Sequence, residues 1–313
     1  MDILLNTINS LPGAIAQGLI WGIMAVGLYI TYKILDIADL TVDGSICTGG
    51  AVCVMLLLNG CSMPIAMLAA LVAGMLTGLA TGIVHTVMGI PAILAGILTQ
   101  LSLYSVNLKI LGKANQSIST RNCDLLVSSN YIRDVAFYKN TIFVVVIAVL
   151  AIIAVLYWFF GTELGCSIRA TGSNLNMSRA QGINTKFNTV LGLMISNGIV
   201  ALSGAFLAQY QGFADINMGR GAIVIGLAAV IIGQALFGRI FRNFALTLLS
   251  VAIGGVIYYI VYQAVICAGL DPDLLKLLSA LVVAVFLAVP YMKKTYFSRA
   301  KKVKTVKEDA QNA

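Results

Sequence analysis

Nine apolar stretches, most of them close to the length of a membrane-crossing helix, divide this chain: 12–32, 44–59, 64–86, 90–111, 141–160, 187–209, 219–238, 243–267 and 273–291. A helix rises about 1.5 Å per residue, so some twenty residues cross a hydrocarbon core of about 30 Å. Inside hydrocarbon a chain must satisfy its own backbone hydrogen bonds, which a helix does within one segment. Composition agrees: the chain is 59% hydrophobic and 10% charged, against roughly a quarter charged in soluble domains. The expectation is an all-α integral membrane protein, a polytopic bundle of about nine transmembrane helices, of which 44–59 is the shortest. The first stretch lacks a preceding basic cluster and is followed by further stretches, so it is read as a retained span and not a cleaved signal.

Charge sets the orientation. The net charge of +8 is no nucleic-acid signal, because Lys293, Lys294, Arg299, Lys301, Lys302, Lys304 and Lys307 crowd into the segment after the last span. Basic residues flanking a span stay on the cytoplasmic side and favour anionic headgroups. Residues 1–292 are therefore read as a transmembrane domain and 293–313 as a basic cytoplasmic tail. Counting back through nine crossings puts the N-terminus outside and Arg169, Arg179, Lys186, Arg239 and Arg242 inside. The stretch 112–140 falls outside in this count although it carries Lys113, Arg121, Arg133 and Lys139.

Several chemistries find no residues to carry them. There is no GxxxxGK[ST] loop for nucleotide phosphates, no CxxC pair and no histidine cluster, so catalysis, bound nucleotide and zinc are not expected on this chain. Cys47, Cys53 and Cys166 read as small packing residues, while Cys61, Cys123 and Cys267 are expected as free thiols on the outer side, where a disulfide is the alternative. The carboxylates are placed away from span centres, with Asp36, Asp39 and Asp43 in the first inner turn, which counts against a proton-driven pump. Polar residues within the spans are instead neutral: Gln17, Gln100, Asn107, Ser196, Asn197, Ser203, Gln209 and Gln234. Such groups either tie helices together or line a wet pathway, and Gln100, Asn197, Gln209 and Gln234 are the candidates for lining. Gly74, Gly78 and Gly82 draw a smooth stripe on one helix face, as close helix packing requires. The segment Asp39 to Val52, rich in glycine and carboxylate, reads either as a plain helix start or as an interrupted membrane helix that exposes backbone groups.

Between the fifth and sixth stretches lies RATGSNLNMSRAQGINTK, Arg169 to Lys186, within a longer polar loop 163–186. Ser173 or Asn174 can cap a helix beginning near Leu175, Gly182 supplies the residue past its end, and Ile183 can close over the last turn. So short a helix is unstable alone and needs a surface or a partner.

Three segments carry a resemblance to a known family: GLIWGIMAVGLYITYKILDIADLTVDGS (Gly18 to Ser45), IRATGSNLNMSRAQGIN (Ile168 to Asn184) and LSGAFLAQYQGFADINMGRGAIVIGLAAVIIG (Leu202 to Gly233). Over nearly the whole chain the sequence resembles membrane permeases of ABC importers of the branched-chain amino acid and ribose group, and within it the tryptophan/tyrosine-type branch. It departs from that pattern at Arg220 and Gln234. The resemblance implies a homodimeric pore, a separate cytoplasmic ATPase that holds the ATP and Mg, an extracytoplasmic substrate-binding protein, and inward movement of a small solute, an amino acid by the family and an aromatic one by the branch. The middle segment is similar to the family's cytoplasmic coupling loop. Ser173, Asn174, Leu175, Met177, Arg179, Ala180, Gly182 and Asn184 would then form the ATPase contact, with Met177 and Ala180 as its apolar face and Arg169 and Arg179 as charged flanks. A proline at Met177 is expected to uncouple ATP hydrolysis from uptake. The competing reading is a stand-alone channel or ion-coupled secondary transporter, which would need no capped cytoplasmic helix.

Overall fold

The computed structural model describes residues 2–118, 125–129, 140–238, 240–241 and 243–267, with 277, 280–281, 284–285 and 288 beyond them, and side chains from Ser10 onward. In chain order the helices are α1 (Asp2–Tyr29), α2 (Val42–Leu58), α3 (Met63–Thr86), α4 (Ala92–Leu111), α5 (Thr141–Phe160), α6 (Glu163–Ser173), α7 (Leu175–Ala180), α8 (Thr185–Gln211), α9 (Ala222–Phe237) and α10 (Phe244–Cys267). A π-helical turn, Ile30–Ile34, prolongs α1, and two short strands, β1 (Asn115–Ser117) and β2 (Phe213–Asp215), pair antiparallel. Among the described residues six helices are long and apolar enough to cross a membrane, and α2 and α9 are shorter apolar helices. The chain is thus an all-α, multi-pass membrane protein. Most of the ninth expected stretch, the tail after it, Arg239, Arg242, Cys123 and most of 119–139 lie outside the described residues.

Helix α8 is the axis of the bundle. Along it α1 runs antiparallel, held at every second turn: the Ser196 hydroxyl donates to the Gly27 carbonyl at 2.8 Å, Ser203 to Ile20 at 2.7 Å and Tyr210 to Gly13 at 3.3 Å. Helix α3 runs antiparallel on another face, and here the expected glycine stripe is the seam. Gly74, Gly78 and Gly82 lie against Asn197, Leu193 and Val190 of α8, and a Cβ at Gly78 would collide with the Leu193 carbonyl. On the far side of α1, Gly18 and Gly22 seat Val256 and Ala252 of α10, and Trp21 stacks on Tyr259 at 5.9 Å between ring centres.

These pairings define two ends of the bundle. At one end lie α6, α7 and the first residues of α8. At the other the β1–β2 pair joins the chain after α4 to the chain after α8, so Asn115 to Ser117 sit opposite α7.

Helices α2 and α9 do not start at either end. After the π-helical turn the chain reverses at Asp36, whose φ of 54° is the left-handed conformation that Asp tolerates better than most residues. It then climbs back into the bundle past Gly96 of α4, so that Ser45 near the start of α2 bonds Asn197, midway along α8. From there α2 runs parallel to α8 to the sheet end. After β2 the chain again doubles back: the Ile216 carbonyl accepts from the Cys47 thiol at 3.3 Å, and Gly219 lies against the Asp43 carbonyl. Helix α9 begins at that same depth and runs to the α7 end, where Phe244 opens α10.

The two halves mirror each other in opposite orientation. Helix α8 packs against α2 and α3 as α1 packs against α9 and α10, with α1 and α8 crossing at the centre. Such inverted repeats with interrupted helices at mid-depth recur in membrane transporters. Asp39 to Val52 takes something from both readings: α2 runs unbroken from Val42 through Gly44, Gly49 and Gly50, but it starts at mid-depth behind a non-helical re-entrant segment. The placement of the first carboxylates is corrected: only Asp36 sits at the turn, while Asp39 and Asp43 lie at mid-depth, because the chain re-enters instead of starting a new span at the surface. Cys166 is corrected too, being exposed on α6 where packing was expected.

Candidate functional sites at the α7 end and at mid-depth

The polar loop folds as two helices where one was expected. Helix α6 is capped by Thr162, and Gly165 packs so closely on the backbone of Phe159 and Phe160 that the chain turns sharply out of α5. Asn174, and not Ser173, caps α7: its Oδ1 accepts from the Met177 N–H at 3.0 Å. The helix ends as its sequence implies. Gly182 adopts φ +79°, and Ile183 N–H returns to the Ser178 carbonyl at 3.1 Å, the closing bond of a Schellman turn. Asn184 caps α8, accepting from Phe187 N–H at 3.1 Å.

Of α7 only Ser178 is buried; Leu175, Met177 and Ala180 are exposed, Met177 at 61%. Phe187 at the start of α8 is exposed beside them, so an apolar patch stands at this end on a capped, rigid frame. The expected charged flanks are engaged within the chain. The Arg179 Nε donates to Thr185 Oγ1 at 3.0 Å, and the Arg169 guanidinium lies over the Phe244 ring, 5.5 Å from its centre. Beside α7 opens a cavity of about 410 Å³ bordered by Asp36, His85, Arg179 and Lys186, in which the His85 Nδ1 meets the Ile90 carbonyl at 2.7 Å.

A second cavity, about 270 Å³, lies where the starts of α2 and α9 meet. Asp43 joins the two helices: its carboxylate accepts from Gly221 N–H and Ile223 N–H, each at 3.0 Å, at the positive end of the α9 dipole. Gly221, at φ +85°, makes the turn that presents those donors. Gln100, Tyr104 and Asn107 follow one another on a single face of α4 and form the facing wall, while Ile216 and Arg220 close the side below β2. Asn107 is 1% exposed, its amide nitrogen is 3.5 Å from the Gly44 carbonyl, and its Oδ1 has no hydrogen-bond partner.

A family model described as the permease component of a branched-chain amino acid transport system matches residues 11–289. The chain belongs to this family. It is similar to the tyrosine transport system permease protein of Clostridioides difficile, with 37% identity over 90% of this chain and 91% of that one. An uncharacterised protein of Rickettsia prowazekii is 34% identical over 90% of this chain and 97% of its own length. A galactofuranose transporter permease of Escherichia coli is 28% identical over 85% and 75%. No solved structure matches the chain. As a member of this family it is a transport subunit and not an enzyme.

Of the four candidates for pathway lining, the permease places only Gln100 at the mid-depth cavity. Asn197 is fully buried and fully bonded: its Nδ2 donates to Asp39 Oδ2 at 2.7 Å and to the Leu193 carbonyl at 3.0 Å, and its Oδ1 accepts from Ser45 at 2.6 Å. Ser45 continues to Thr77 and Thr41 to Thr81, both at 2.7 Å, stitching α2 to α3. Gln209 is buried against the sulfurs of Cys53 and Met67 with its Oε1 unpartnered, and Gln234 reaches the Tyr29 hydroxyl. These three tie helices together. Asp43, Tyr104 and Arg220 were missed as wall residues. For Asp43 and Arg220 the signal lies in two parallel segments, Asp43-Gly44-Ser45-Ile46 and Arg220-Gly221-Ala222-Ile223, each a charge and a glycine ahead of a small residue and an apolar run; for Tyr104 it is the helical spacing from Gln100.

Proposed function

We propose that this permease is the membrane subunit of an ATP-driven importer for a small amino-acid-type solute, with α7 as the element on which a separate cytoplasmic ATPase acts. The observation that carries this reading is α7 itself: capped at one end by Asn174, closed at the other by Gly182 and Ile183, and left with Leu175, Met177 and Ala180 uncovered. A short helix unstable alone is held on α6 and α8 with its apolar side outward, which is the form of a docking knob. Contact with the ATPase falls to the exposed Leu175, Met177 and Ala180. Asn174, Gly182 and Asn184 set the shape of the knob, Ser173 borders the groove beside it, and Arg169 and Arg179 brace it on α10 and α8. ATP and Mg are held on that ATPase and none on this chain. Closure of the ATPases pushes α6 and α7 as one body, and the bundle rocks about the α1–α8 crossing to open the mid-depth region alternately to each side.

In the full assembly two copies form the pore and an extracytoplasmic binding protein delivers solute at the sheet end. The chain crosses nine times with its N-terminus outside, α2 and α9 each completing a crossing with the re-entrant segment before it. Residues 1–292 form the permease domain, and the tail 293–313 lies on the cytoplasmic surface against anionic lipid. The tyrosine permease relative supports an amino acid as the solute.

Co-purification from native membranes, read by mass spectrometry, tests the docking role. The intact chain is expected to bring down a P-loop ATPase that is lost when residues 175–181 are replaced by a Gly/Ser linker. Equal recovery with both chains overturns the role of α7. Recovery with neither turns attention to flux through this chain alone.

A further inference from the structure

At half the depth of the bundle the permease holds an opening that its own packing does not need. The junction of α2 and α9 could have closed as the Asn197 cluster does, yet it leaves about 270 Å³ between Asp43, Gln100, Tyr104, Asn107 and Arg220. That volume falls just below the roughly 300–1,000 Å³ of pockets for drug-sized ligands, and it fits a solute of single-amino-acid size.

The wall carries two opposite charges that are not spent on each other. Asp43 and Arg220 form no salt bridge; each carboxylate oxygen of Asp43 accepts one backbone N–H and keeps a further lone pair. The Arg220 side chain is exposed and, among the described residues, has no hydrogen-bond or ion-pair partner, although it stands one residue before the mid-depth turn at Gly221. A guanidinium at that depth does not face hydrocarbon without a large penalty, so it lines a wet space or meets an anion. Asn107 adds the independent sign of a missing guest: a side chain 1% exposed, on the cavity wall, with its Oδ1 unpartnered. Buried polar atoms are almost always satisfied, and an orphan beside a cavity marks where another molecule's donor belongs.

We propose that this junction is a recognition site for the head group of a zwitterionic α-amino acid, with Arg220 taking the carboxylate, Asp43 and the Asn107 Oδ1 taking the ammonium, and Tyr104 and Gln100 meeting the side chain at the open rim. The proposal rests on the reading of the chain as an amino-acid permease and makes the permease, beside any binding protein, a second selector. A sugar can hydrogen-bond to either wall through its hydroxyls but neutralises neither charge, so it is expected to bind more weakly than a zwitterion that meets both. Binding at mid-depth also places the solute where two interrupted helices can separate, the part of an inverted-repeat transporter that both access states share.

Equilibrium binding of radiolabelled L-tyrosine to the purified full chain in lipid nanodiscs tests it. Unlabelled L-tyrosine is expected to compete, while tyramine, which lacks the carboxylate, 3-(4-hydroxyphenyl)propionate, which lacks the amine, and D-galactose do not. Arg220→Gln is expected to weaken binding about ten- to a hundredfold, the worth of a charge-assisted hydrogen bond, with an unchanged melting temperature. Asp43→Asn also removes a helix-joining group, so the exposed Arg220 is the deciding variant. Absence of saturable binding, unchanged affinity in Arg220→Gln, or competition by D-galactose equal to that by L-tyrosine overturns the site. None of these outcomes depends on the ATPase, so binding that survives in a chain recovering no ATPase would sink the α7 reading and leave the site standing.

Discussion

Two polar groups of residues sit at nearly the same depth in this bundle and do opposite things. Around Asn197, every donor and acceptor of the amide is used, Asp39 is 2% exposed, and α2, α3 and α8 meet without a gap. Around Asp43, only a few residues further along the same segment, a carboxylate, a guanidinium and a buried amide border open space with one oxygen orphaned. Residue type does not separate the two, since each has an aspartate and an asparagine. Completeness of hydrogen bonding does: the closed set holds helices together, and the open set is available to a solute.

Asn197→Leu strips the Asp39 carboxylate and the Ser45 hydroxyl of their shared partner in a dry interior, and is expected to destabilise the permease by roughly 3 kcal/mol or more. In a chain this long that lowers the melting temperature by several degrees or prevents recovery of folded protein, as thermal unfolding in a fixed detergent would read. Ser45→Ala removes one link, and about 1–2 kcal/mol is expected from the Asn197 Oδ1 left without a donor, since the Thr77 hydroxyl keeps its bond to the Gly74 carbonyl. Asn107→Leu is the counterpart in the open set. Its only bond is long, so stability should move by less than about 1 kcal/mol while L-tyrosine binding falls. If Asn107→Leu destabilised as much as Asn197→Leu, the distinction between closed and open sets would collapse.

Local signals were legible in the sequence and long-range ones were not. The cap at Asn174, the stop at Gly182 and the stripe Gly74, Gly78, Gly82 follow from propensities and spacing within a few turns, and each stands where those rules put it. The depth of Asp39 and Asp43 is not legible in the sequence, because hydropathy over a window treats a charged segment as a surface turn. What draws that segment inward is Asn197, more than 150 residues away. The same limit applies to Asn197 and Gln209: whether a buried amide faces a cavity or another helix depends on neighbours that spacing on one helix does not reveal. The proline expected to be disruptive at Met177 is also recast. Met177 lies in the first turn of α7, where proline removes the cap bond from Asn174 but breaks no bond further along. Met177→Asp is the sharper change, because it keeps the helix and alters the exposed apolar face.

ATP-driven uptake in proteoliposomes, reconstituted from the permease and the ATPase recovered with it, measures whether α7 couples ATP hydrolysis to transport. Wild-type vesicles are expected to accumulate L-tyrosine only with ATP, and Met177→Asp to abolish accumulation while leaving L-tyrosine binding to the permease intact. Accumulation by Met177→Asp at the wild-type rate, or flux through the permease alone without ATP, would contradict that coupling.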